Sequence, residues 1–199
     1  MKFTSDIDID FGDRSKILQK IKHIPAAIHN SKGIQTHNTG IYVTDIPRDP
    51  VRDCASLDYK TAEQRGYIKL DFLNVGLYTQ VRDQAHLTEL LKTEPPWHKL
   101  YQRSFCEQLI HIGNHYDLLL KMPEAVNNIP RLAMFLALIR PGKRELIGLP
   151  WAEVAKTIWQ RPKDDQYYFK KSHSVAYSHL VVVNMNLLDL TDQGNTTSF

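Results

Sequence analysis

Ser5-Asp6-Ile7-Asp8-Ile9-Asp10-Phe11 sets carboxylates at alternating positions, with Ile7, Ile9 and Phe11 between them. A strand sends alternate side chains to opposite faces, so one face of this stretch is apolar and packs. The other face carries Asp6, Asp8 and Asp10 side by side. Like charges held that close repel, and such carboxylates shift their pKa or gather cations, magnesium being the usual candidate. The stretch therefore predicts a β-strand with a charged, cation-seeking face.

A second acidic strand is predicted at Tyr67-Ile68-Lys69-Leu70-Asp71-Phe72-Leu73. Tyr67, Lys69, Asp71 and Leu73 share one face, and Ile68, Leu70 and Phe72 the other. Lys69 is placed to neutralise Asp71 or to hold a phosphate. If the two strands pair, Asp8, Asp10 and Asp71 form the carboxylate cluster that two-metal phosphoryl transfer requires, with metals roughly 3.5–4 Å apart on the attacking and leaving oxygens. The plainer reading is a solvated edge strand and a salt-bridged Asp71. Spacing alone leaves both open.

The remaining composition sets limits. A chain of 199 residues has length for one good core and a small subdomain. Lys plus Arg number 25 against 22 Asp plus Glu, and the net charge of +3 permits a polyanionic partner without demanding one. Two cysteines, Cys54 and Cys106, make no disulfide framework and suit a reducing cytoplasm, of a bacterium or of the host of a virus. No apolar run approaches a membrane span, and Met1-Lys2-Phe3-Thr4 runs straight into the acidic strand, so neither a membrane partner nor a signal peptide is expected.

Along the chain, Asp13 is an expected N-cap of a helix carrying Ile17, Leu18, Ile21 and Ile24, stopped by Pro25. His29 to Gly40 reads as a polar loop, Ile41-Tyr42-Val43 as a short strand, and Asp58 to Lys60 as the start of another. Helices are expected over 83–92, 97–113, 129–139, 151–159 and 175–188, the last with a strand-like Val181-Val182-Val183 run. The fold class is α+β. The expected division is a catalytic half over 1–93, a helical half over 94–190 broken at Glu94-Pro95-Pro96, and a flexible tail over 191–199.

Four further segments invite chemistry. His37-Asn38-Thr39-Gly40 offers a histidine and backbone amides to a phosphate or a base, or is a plain turn. Arg140-Pro141-Gly142-Lys143-Arg144 sets cations at a helix break, where they grip phosphates or simply complement the helix dipole. Phe169-Lys170-Lys171-Ser172-His173-Ser174 precedes a helix; Ser172 or Ser174 would cap it, and Lys170, Lys171 and His173 would add charge beside its free amides. His111 and His115, four apart, suit one helix face near Cys106, but no fourth zinc ligand is evident. No serine or cysteine nucleophile with a nearby base is recognisable, and no GxxxxGK[ST] loop is present.

These segments, in this order, resemble the C family of bacterial replicative DNA polymerases, the DNA polymerase III alpha subunit type. Ser5 to Phe11, with Asp13-Arg14 after it, is similar to the PDFDxDF palm strand. His37-Asn38-Thr39-Gly40 resembles the HAGG segment. Asp58-Tyr59-Lys60 and Gly66 to Leu73 resemble the D-K and GLxKxDFLG run. Ala137-Leu138-Ile139-Arg140-Pro141-Gly142 is similar to ALxRPG, and Phe169 to Tyr177 to FNKSHSxAY. The resemblance implies a polymerase-beta-like nucleotidyltransferase palm followed by a reduced helical fingers region. It implies that Asp8, Asp10 and Asp71 bind two Mg²⁺ ions, with Mn²⁺ as a substitute, and that Asp6 flanks them. Lys69, Arg140, Lys171, Ser172 and His173 would bind the nucleotide, and His37, Lys143, Arg144 and Lys170 the nucleic acid.

The implied function is a minimal DNA polymerase, of phage type among other sources, using primer-template DNA and deoxynucleoside triphosphates. The family's Gly-Ser triphosphate motif has no counterpart before Ser5, so another polymerase chain or a replisome protein is an expected partner. Asn74 stands where the family has Gly. The alternatives are a non-catalytic DNA-binding or replisome-interaction protein on a degenerate polymerase core, and a template-independent nucleotidyltransferase.

Overall fold

Alternating apolar and acidic residues build the first strand, β1, Ile7–Phe11. The structure, a computed structural model, describes residues 7–31, 33–163 and 166–196. Asp6 lies outside the described residues. The chain divides into two compact units, Met1–Val81 and Arg82–Phe199. The class is α+β.

In the first unit, Asp13 caps the short helix α1, Arg14–Leu18, by accepting the Ser15 amide. The expected continuation to Ile24 does not form. Ile24 instead opens β2, Ile24–Asn30, where Ile24 and the small Ala26 and Ala27 are buried. Strand β3, Gly33–Tyr42, pairs antiparallel with β2. The segment expected as a loop from His29 to Gly40 is thus most of a hairpin. Gly33 sits at its turn with φ +92°, a conformation that side chains resist. Pro25 is accommodated because β2 ends the sheet and carries a register shift between Pro25 and Ala27.

Asp58, expected in a strand, instead caps helix α2, Tyr59–Gln64. Strand β4, Leu70–Asn74, completes a mixed sheet of order β1-β4-β3-β2. Ile24, Ala26, Tyr42, Ile46, Ala55 and Ala62 form one core, and the Phe11 and Phe72 rings pack at a tilt across β1 and β4, 4.8 Å between centres.

The second unit is helical. Asp83 caps α3, Gln84–Lys92. Two one-turn helices follow, α4, Arg103–Cys106, and α5, Tyr116–Leu119. Asn128 caps α6, Ile129–Leu138, and α7 is Trp151–Thr157. The long α8, Lys171–Thr196, carries Val181, Val182 and Met185 into a core shared with Leu132, Phe135 and Leu136. The valine run is therefore helical, because packing against α6 outweighs its β propensity. Residues 191–196, expected as a tail, continue α8, and Lys99 bridges to Asp189 and Asp192 at 2.7 and 3.1 Å.

The helix expected over 97–113 is broken first at Gln102, whose backbone is extended between a 3-10 turn over Trp97–Tyr101 and α4, and again after α4. The Ile110 amide donates to Asn184 Oδ1 on α8 at 2.8 Å rather than to a carbonyl one turn back, and His111 takes φ +66°. A second α8 amide, Asn186, gives its side-chain N–H groups to Leu90 and Thr93 carbonyls at the end of α3. Among the described residues no helix is long and apolar enough to cross a membrane.

Candidate active site

Strands β1 and β4 run parallel, with Asp8 in register with Asp71 and Asp10 with Leu73. Registered residues of paired strands face the same way, so Asp8, Asp10 and Asp71 lie on one face of the sheet. Asp8 and Asp10 are exposed, whereas Asp71 keeps only 7% exposure because β4 lies between β1 and β3. The Asp10 carboxyl is pushed above its ordinary value by partial loss of solvation and by the charge of Asp8, although the residue as a whole remains exposed.

Asp71 is held on both oxygens. Thr39 Oγ1 donates to Oδ1 at 2.7 Å and Lys69 Nζ donates to Oδ2. Burial alone would raise the Asp71 carboxyl; the hydrogen bonds from Lys69 and Thr39 outweigh it and hold the carboxyl below its ordinary value. Lys69 is fixed from several sides. Its stem crosses Gly40, where a β-carbon would come within 2.8 Å of Lys69 Cδ, and its ammonium lies 5.8 Å from the centre of the Tyr59 ring.

His37 acts on its own strand. Nδ1 accepts the Gly40 and Thr39 amides at 2.9 and 3.2 Å. A nitrogen that accepts two amides carries no proton, so the ring is neutral with its hydrogen on Nε2. Burial and the nearby Lys69 charge push its pKa down, against a smaller upward pull from Asp71. Its 3.8 Å approach to Asp71 is therefore not an ion pair. Of these neighbours, the sequence reading assigned no role to Thr39, Tyr59 or Arg14. Arg14 donates from Nη1 to the Phe72 carbonyl at 2.9 Å, and its amide donates to Asn74 Oδ1 at 2.7 Å. Only the Asp13-Arg14 pairing after the strand hinted at this.

The sheet face supplies hard oxygen donors of the kind Mg²⁺ and Mn²⁺ prefer, and the Asp10 carboxyl is raised first by burial and then by the charge of Asp8, which a cation would offset. In donor chemistry the residues fit such ions. Among the described residues, however, no three His, Cys, Asp or Glu side chains are already drawn together as a metal-binding group, and the Asp71 carboxylate is engaged by Lys69 and Thr39.

The other predicted residues lie in the second unit. The Gly142 amide donates to the Tyr167 carbonyl at 3.0 Å, which runs the helix break past residues 166–169. Arg140 thereby stacks on Phe169, 3.8 Å from guanidinium carbon to ring centre, and Phe169 packs on Tyr177. Burial lowers the Arg140 pKa, and its Nε is buried without a hydrogen-bond partner among the described residues. Lys143 is only 5% exposed and donates to the Thr157 carbonyl at the end of α7, 2.8 Å away. Arg144 and Lys170 are exposed.

At the start of α8, Lys171 and Ser172 are exposed and His173 is half-buried. Ser172 and Ser174, expected as caps, stand inside the first turn, since the Lys170 carbonyl accepts the Ser174 amide. His111 and His115 share no helix face, and burial pushes the Cys106 thiol up to about 11, which disfavours the thiolate a metal needs.

Comparisons with protein-family models, with curated proteins and with solved structures find no match for this chain.

Proposed function

We propose that this chain is a minimal C-family-like DNA polymerase. Its first unit would serve as a palm related to the polymerase-beta nucleotidyltransferases, and its second as a reduced helical fingers region. The observation that carries this reading is the β1–β4 register, which sets Asp8 beside Asp71 with Asp10 on the same face. Asp8, Asp10 and Asp71 would hold two Mg²⁺ or Mn²⁺ ions, which when bound lower the pKa of the attacking hydroxyl and neutralise charge on the phosphate.

In the reaction, the primer 3′-oxygen forms a bond to the α-phosphorus of a deoxynucleoside triphosphate. The bond to the bridging oxygen breaks, pyrophosphate leaves and the hydroxyl proton passes to solvent. Lys69 is the cation on the acidic face that would meet the triphosphate. Arg140, stacked on Phe169, and the exposed Lys171 and Ser172 at the start of α8 would bind the nucleotide with His173. Arg144 and Lys170 would contact DNA phosphates. A partner chain would supply the Gly-Ser triphosphate loop.

Primer extension on a primed template, with four deoxynucleotides and Mg²⁺ or Mn²⁺, tests this. Template-directed extension that Asp71→Asn abolishes is the expected result. Intact primer-template binding with no extension under either metal would point to the non-catalytic reading or to a chain that extends only with its partner. One observation favours that second reading, a non-catalytic DNA-binding or replisome-interaction protein: the Lys69–Asp71 ion pair is also what a purely structural buried carboxylate would adopt.

A further inference from the structure

The Lys69 ammonium occupies a built seat. One Asp71 oxygen receives it while Thr39 Oγ1 satisfies the other. The missing side chain at Gly40 makes room for Lys69 Cγ and Cδ, which a β-carbon there would approach to 3.1 and 2.8 Å. Tyr59 flanks the ammonium, and the Lys69 side chain is 16% exposed. Beside this seat in the register stands Asp8. Both Asp71 oxygens are engaged, so a divalent cation shared by Asp8 and Asp71 competes for one of them, and its charge repels the Lys69 ammonium at that range.

Resting on the metal-site reading above, we propose that Lys69 is an exchangeable counter-ion of Asp71. Lys69 holds the buried carboxylate in the folded chain, yields Oδ2 when a divalent cation binds, and is thereby released to meet the triphosphate. Asp71 is never left buried and unpaired, a state that is strongly destabilising. The two events are linked reciprocally: Lys69 weakens metal binding by as much as the metal weakens the hold of Lys69.

Calorimetric titration of Mn²⁺ into the full chain tests this, with thermal unfolding of each variant with and without Mn²⁺. Lys69→Met is expected to bind Mn²⁺ roughly tenfold more tightly than the wild type. It should also unfold at a lower temperature without Mn²⁺ and regain more on adding it. Gly40→Ala keeps the charge but displaces the lysine stem, and should shift affinity the same way by a smaller factor; it decides the matter if Lys69→Met does not fold. Asp71→Asn should lose binding.

If neither variant binds more tightly than the wild type while Asp71→Asn still abolishes binding, the exchange is wrong and the metal site stands. If no variant binds, or binding survives Asp71→Asn, the metal site itself is wrong and the exchange falls with it.

Discussion

Asn74 and Arg14 fasten the end of β4 to the start of α1: Asn74 Oδ1 accepts the Arg14 amide at 2.7 Å, and the Arg14 guanidinium returns a bond to the Phe72 carbonyl. The amide is one of the orphan donors at a helix start, and the bond is solvent-exposed. Asn74→Gly should therefore cost about 0.5–1 kcal/mol, read from urea denaturation. An unchanged midpoint would mean water replaces the bond without loss.

His37 should give the first unit a pH dependence. Its folded pKa lies below the ordinary 6.5, because burial and Lys69 disfavour the imidazolium. Between that lowered value and 6.5 the unfolded chain binds the extra proton. Stability is then fully present above about pH 6.5 and falls as pH drops through the window below it. Asn at this position can accept the same amides without titrating. Unfolding curves of His37→Asn should lose less stability over that window than those of the wild type.

DNA binding should separate the basic residues by exposure. Arg144→Gln and Lys170→Gln should each lower the slope of log affinity against log salt by about 0.9. Lys143→Met should leave the slope unchanged, because that ammonium is given to the Thr157 carbonyl. A loss of slope in Lys143→Met would show that the lysine leaves its carbonyl when DNA binds.

Asn186→Ala should destabilise the second unit by roughly 2 kcal/mol, since the Leu90 and Thr93 carbonyls both lose their donor. Amide hydrogen exchange should show the end of α3 opening first. Uniform loss across the unit would mean that cavity formation dominates.

The acidic strands were legible because a period of two places like residues on one face whatever their neighbours are, although the second begins only at Leu70 and residues 67–69 before it are irregular. Their pairing was conditional until the register set Asp8 against Asp71. The hairpin was not legible: Asn30, Gln35, Thr36 and Asn38 look like loop residues, yet backbone pairing makes no demand on side chains that face solvent. The helix expected over 97–113 breaks at Gln102, and its last part is turned aside where Asn184, far along the chain, captures the Ile110 amide. Local spacing carries no record of such a partner. Thr39 and Tyr59 were missed for the same reason, since only folding brings them to Asp71 and Lys69.

Helix α8 is both the centre of the second core and its latest-made part. On a ribosome, Leu132, Phe135 and Leu136 emerge well before Val181, Val182 and Met185, which share their core. A nascent second unit therefore carries a bare greasy stripe along α6 until α8 is synthesised, which makes that stripe the natural target of a chaperone and the place where aggregation during synthesis would begin.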